Sequence, residues 1–184
     1  KKLKAIMAFE LAPQIEAVII LDTNGNRLCA KYYSSKQEFR SKESQTKFEK
    51  AILNKSNRSV QRSDTDVLLY NDHLVLYISS SNVKIFVIAS SSANELVIDE
   101  VIGGLESSLN TLLKGTIDAR GIIDNMDYVL LAMDELCEDG IIFETEGDDI
   151  ASRVLMKDVS QIKQETLGSA AGVAYKRIRD QWLR

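Results

Sequence analysis

Two apolar runs flank an Asn-Gly pair near the start of the chain: Ala17–Leu21 before it and Leu28–Tyr33 after it. Asn-Gly takes the positive φ angles of a type I′ turn, whose twist suits two antiparallel strands. The pattern predicts strands over Ile15–Asp22 and Arg27–Tyr33, with Asn24 and Gly25 as the structural turn. A polar stretch, Ser34–Ser44, then leads to a helix near Gln45–Asn54, where Phe48, Ala51 and Ile52 form one apolar stripe. Three short apolar runs follow: Val67–Tyr70, Leu74–Ser79 and Lys84–Ala89. The turns between them, Asn71-Asp72-His73 and Ser80–Val83, are too short for a parallel crossover, so the neighbours are antiparallel.

Beyond Ser90 the period changes to that of a helix. Ser92 and Glu95 have the spacing of a capping box. Ile98, Val101, Ile102, Leu105, Leu109 and Leu112 make one long apolar face, and Gly115 is a helix stop. Thr116–Asn125 reads as a connector with a turn or two of helix. Asp127 is placed to cap a helix over Tyr128–Glu138 that Gly140 ends. GIIFET reads as a brief extended piece, Ile150–Met156 as a short helix, and Ser160–Leu183 as a separate helix. The order is β-β-α-β-β-β-α-α. It predicts an α/β (α+β) fold with a five-stranded, mainly antiparallel sheet sandwiched between helices. The central strands are apolar on both sides and need cover on both faces. Val101, Leu105, Leu109, Val129, Leu130 and Met133 are expected in the helix–sheet core. Residues 15–156 form the core domain, with an N-terminal extension over 1–14 and a C-terminal helical extension over 157–184.

Composition narrows the function by exclusion. A net charge of −4 gives no general field for nucleic acid. No apolar run reaches the roughly 20 residues of a membrane span. Glu10 breaks the apolar stretch of KKLKAIMAFELA and no cleavage site follows, so no signal peptide is expected. Cys29, in a strand, and Cys137, in a helix, lack CxxC spacing and read as buried free thiols.

The search for chemistry finds little. Asp22–Asn26 looks superficially like a calcium loop, but its Gly is fourth and Tyr33 stands where the loop needs Glu. His73 is the single histidine and reads as a solvated turn residue. Gly103-Gly104 lies inside a helical pattern, where it marks close packing instead of a phosphate loop. Glu144, Glu146, Asp148 and Asp149 read as a solvated acidic loop. Asp134 and Glu135 are adjacent on a helix and point apart, so they are no acid/base pair. No catalytic residue, cofactor or metal is expected. The C-terminal YKRIRDQWLR interleaves Lys176, Arg177, Arg179 and Arg184 with Tyr175, Ile178, Trp182 and Leu183. It suits a partner protein, a membrane surface or its own domain, and docking on protein is favoured because the Ala-rich stripe before it offers little area for lipid.

Several blocks together resemble the coatomer zeta subunit family. They are ILDTNGNRLCAKYY (20–33), KFEKAILNKSNR (47–58), NDHLVLY (71–77), ANELVIDEV (93–101), NMDYVLLAMDELCEDGIIFET (125–145) and IASRV (150–154), in matching order and spacing. The resemblance covers about residues 15–155. That family is similar to the small subunits of clathrin adaptors, so it implies a longin-like fold and no enzymatic activity. It also implies pairing with the helical solenoid of the coatomer gamma subunit within the rest of the coatomer. An Arf-type GTPase would recruit that coat from the cytoplasm to Golgi membranes, for Golgi-to-endoplasmic-reticulum retrieval on coated vesicles. A small subunit of a clathrin-type adaptor, or another longin-like trafficking module, is the alternative. The dileucine groove of the adaptor relatives would fall at Ser81, Val83, Glu106, Gly115 and Thr116. A carboxylate at Glu106 suits a leucine side chain poorly, so dileucine binding is not expected. The residues of the partner interface are not legible from the sequence.

Overall fold

In the computed structural model, residues 14–58 and 65–157 are described. Of the extensions expected over 1–14 and 157–184, including the helix expected over Ser160–Leu183, all but residues 14 and 157 lie outside them. Five strands form one antiparallel sheet: β1 Ile15–Asp22, β2 Arg27–Tyr32, β3 Asp66–Tyr70, β4 His73–Ser80 and β5 Val83–Ser90. Their spatial order is β2-β1-β5-β4-β3, so the two most apolar strands, β1 and β5, lie together at the centre. The helices are α1 Gln37–Arg40, α2 Lys42–Ser56, α3 Glu95–Leu112, α4 Ala119–Asp124, α5 Met126–Leu136 and α6 Gly147–Leu155. A small ribbon of β6 Cys137–Glu138 and β7 Ile141–Ile142 separates α5 from α6.

Alternation along the strands builds two cores. Val18, Ile20, Leu74, Leu76, Ile85 and Val87 face α3, α5 and α6. Ala17, Ile19, Leu21, Val75, Phe86 and Ile88 face the other way, onto Phe39 of α1 and Phe48, Ile52 and Leu53 of α2. The sheet is therefore covered on both faces. α3 lies close to its neighbours at Gly104, where a Cβ would collide with the Thr145 carbonyl. That contact is the reason for glycine inside a helix, where it otherwise costs stability.

Several expectations need correction. The first hairpin does not close with a two-residue type I′ turn. Its loop is Thr23–Gly25, with Gly25 alone at positive φ (85°). Gly25 N–H donates to the Asp22 carbonyl at 3.0 Å and Asp22 N–H to the Asn26 carbonyl at 2.9 Å. This is the three-residue hairpin loop with a glycine bulge. The Asp22 carboxylate accepts from the Asn24 and Asn26 N–H groups, and Asn24 needs no positive φ. The cap of α3 is Asn94 and not Ser92, for the Asn94 side chain accepts from Leu96 N–H. α5 starts at Met126, ahead of the expected cap Asp127. Cys137 leaves the helix and opens β6. Val129 and Met133 are fully buried, but Leu130 is 37% exposed. Three successive apolar residues, Val129–Leu131, cannot all face one side of a helix with about 3.6 residues per turn.

Candidate functional site

A buried cluster of polar side chains lies where α1 crosses the start of β1 and β4. A β-bulge makes it. β1 pairs Ile15 with Ala89 and then Ala17 with Ile88, so Glu16 is the extra residue. The bulge reverses the alternation: Ile15 and Val18 face α3, and Glu16 turns under α1. There the Glu16 carboxylate meets His73 Nδ1 and, at 2.5 Å, Lys36 Nζ. His73 Nε2 lies 3.8 Å from the Glu38 carboxylate. The rings of Phe39 and Phe48 stand 5.2 and 5.3 Å from the imidazole. His73 is thus a buried, ring-enclosed strand residue, 1% exposed, and the expected solvated turn histidine is corrected. Burial pushes the Glu16 carboxyl upward. The hydrogen bonds and charges of His73 and Lys36 outweigh it and hold the group below its ordinary value of 4.5.

This arrangement can clamp α1 to the sheet, because Lys36 and Glu38 flank Phe39 and both reach the Glu16–His73 pair. It has the histidine and carboxylate of a catalytic pair, but its neighbours are aromatic walls and a lysine already engaged. A second buried anchor lies beside it: Glu49 of α2 takes Arg27 Nε and the Tyr32 hydroxyl, each at 2.6 Å. Burial and the Glu49 charge push the Tyr32 phenol far upward, so it stays a donor. A shallow depression of about 390 Å³ between α1, α2 and the β3–β4 turn has Phe48 and Tyr70 as its apolar wall.

The thiols are equally enclosed. Cys29 Sγ lies 3.5 Å from Met133 Sδ, and Cys137 Sγ lies 3.2 Å from the Tyr33 hydroxyl. Burial raises both thiols above their ordinary range, which disfavours the nucleophilic thiolate. Among the described residues no group of histidine, cysteine and carboxylate side chains is placed to hold a metal ion. Of the acidic loop, Glu144 pairs with Arg153 at 2.9 Å, and Asp148 and Asp149 open α6. Among the described residues no helix is long and apolar enough to cross a membrane.

The remaining functional features are surfaces. Val67 and Leu69 are exposed on the edge strand β3, and Leu130, Leu131 and Phe143 are exposed on and beside α5. The positions aligned to an adaptor dileucine groove do not all line a surface. Val83 is 1% exposed and packed in the core, and Glu106 is half-buried on α3. Ser81, Gly115 and Thr116 lie at one end of the molecule, where Asn82 ties the β4–β5 turn to Thr23 and Ala119. Sequence reasoning missed Glu16 and Phe39. Glu16 was a charge set between apolar residues of β1, and Phe39 the one aromatic residue in the polar stretch Ser34–Ser44. Those were their only signals.

A five-stranded antiparallel sheet packed between helices on both faces carries these buried anchors and leaves apolar side chains exposed at its edge and on α5. Residues 14–161 match the family of clathrin adaptor complex small chains, and the chain belongs to that family. Within it the chain stands with the coatomer zeta subunits. It is 36% identical to coatomer subunit zeta of Saccharomyces cerevisiae over 76% of each chain. It is 33% identical to coatomer subunit zeta-1 of Homo sapiens over 92% of this chain and 93% of that one. Coatomer subunit zeta-1 of Arabidopsis thaliana is 27% identical over 92% of this chain and 96% of that one. Among solved structures, a chain in a homology model of the full-length AP-3 complex in a stretched open conformation has the same fold. Its TM-score is 0.57 at 19% identity, over 89% of this chain and 98% of that one.

Proposed function

We propose that this chain is the small structural subunit of a coatomer coat and works by holding the helical solenoid of the gamma subunit, without turnover. The observation that carries the proposal is the likeness to coatomer zeta subunits of yeast and mammals, at 36% and 33% identity over most of the chain. The site fits that role. Its buried charges fasten helices to the sheet, and its exposed apolar residues offer a partner surface. In this reading the pair sits in the cytoplasm, is recruited by an Arf-type GTPase to Golgi membranes, and serves Golgi-to-endoplasmic-reticulum retrieval. Dileucine signals would not be read by this subunit, since Val83 is core and Glu106 is a carboxylate.

Size-exclusion chromatography of the full chain with a purified coatomer gamma solenoid, and separately with a clathrin-adaptor large chain, tests it. Co-elution with gamma alone is expected. Co-elution with the adaptor chain alone would replace the proposal with the adaptor reading.

A further inference from the structure

The outer face of α5 is apolar where a surface helix should be polar. Leu131 is 47% exposed and Leu130 37%. Asp127 and Asp134 fall at three- and four-residue steps from these leucines, so all four share one side of the helix. Phe143, 60% exposed, is held at the C-terminal end of α5 by its N–H bond to the Leu136 carbonyl at 3.0 Å. The result is an apolar ridge with an acidic rim, which Glu138 extends. Lys31 already sits on Asp134 and the Leu130 carbonyl, and Arg153 on Glu135 and Glu144, so the acidic charge that the rim offers beyond these pairs is that of Asp127 and Glu138, both exposed. A basic, apolar segment is the chemical complement of this ridge.

The chain carries one. Residues 175–184 contain Lys176, Arg177, Arg179 and Arg184 against Asp180 alone, and Tyr175, Ile178 and Trp182 recur at helical spacing. The tether begins in the right place. α6 ends at Leu155, and its Arg153 already pairs with Glu135 of α5. The residues between 157 and 175 reach about 27 Å even as helix, against about 16 Å for the length of α5. A short tether also gives the segment a millimolar effective concentration that a free partner must exceed.

We propose that residues 175–184 dock on the α5 ridge of their own chain, with Trp182 against Leu130 and Leu131 and the basic residues over Asp127 and Glu138. The segment then shields an apolar patch of the free subunit and is displaced when a partner takes that face.

Trp182 is the single tryptophan, so it reports directly. Acrylamide quenching of its fluorescence is measured on the full chain, native and urea-unfolded. The native chain should quench several-fold less than the unfolded one. Salt on the order of 1 M, where the screening length falls to about 3 Å, should weaken the protection. The L131E variant should quench like the unfolded chain while its circular dichroism stays native. D127K gives the same reading by charge alone if L131E does not fold. Four results would overturn the proposal. Trp182 is equally quenched in native and unfolded chains. Protection survives in L131E and D127K. Protection rises with protein concentration, which means a second copy. Protection appears only with anionic vesicles or an added partner.

Discussion

Glu16 carries more of the architecture than its single charge in an apolar strand suggests. The bulge places it under α1, where it joins Lys36, His73 and, through His73, Glu38. Its folded-state pKa lies below the ordinary glutamate value. The unfolded state therefore binds the proton more readily than the folded one. The stabilisation is complete above the unfolded value and is lost as pH falls through the folded one. Denaturant melts across that acid window should show wild-type stability rising with pH more steeply than that of Glu16→Gln. Equal slopes would mean that Glu16 contributes no linkage. Gly25 makes a second point at this scale. Its φ is 85°, and a Cβ there would lie 3.1 Å from Leu53 Cδ2. Gly25→Val forces a β-branched residue into the left-handed region and should lower the melting temperature, whereas an unchanged value would contradict the glycine-bulged loop.

At the scale of elements, α3 and α5 show how far periodicity can be trusted. Leu105 of α3 is fully buried, whereas Leu130 of α5 is partly in water. Leu105→Ala should cost about 2–5 kcal/mol in a denaturant melt. Leu130→Ala should cost clearly less, because Leu130 is only partly covered where Leu105 is fully buried. Comparable costs would place both leucines in the core. The sheet was legible because Asn71-Asp72 and Ser81-Asn82 are local signals with local causes, and Asn71 and Ser81 do take positive φ. α1 was not, since a one-turn helix with one apolar residue, Phe39, has no period to read. His73 differs from a turn residue by one position, and its burial depends on Glu16, distant along the chain. Cys137 follows a helical run and yet pairs with Ile142, because tertiary context overrides local propensity there.

At the scale of the whole molecule, the fold offers a sheet covered on both faces and exposed apolar residues. Among the described residues it offers no group of histidine, cysteine and carboxylate side chains placed to hold a metal ion. Family membership places it among the clathrin adaptor complex small chains, and relatives 36% and 33% identical are coatomer zeta subunits. A partner that binds only the native state raises stability by mass action, by about 2.7 kcal/mol at a hundredfold excess over Kd. The direct measurement is the melting temperature of the full chain titrated with purified coatomer gamma solenoid. A rise that grows with solenoid concentration is expected, with no rise from a clathrin-adaptor large chain. An unchanged melting temperature at saturating gamma solenoid would contradict the pairing.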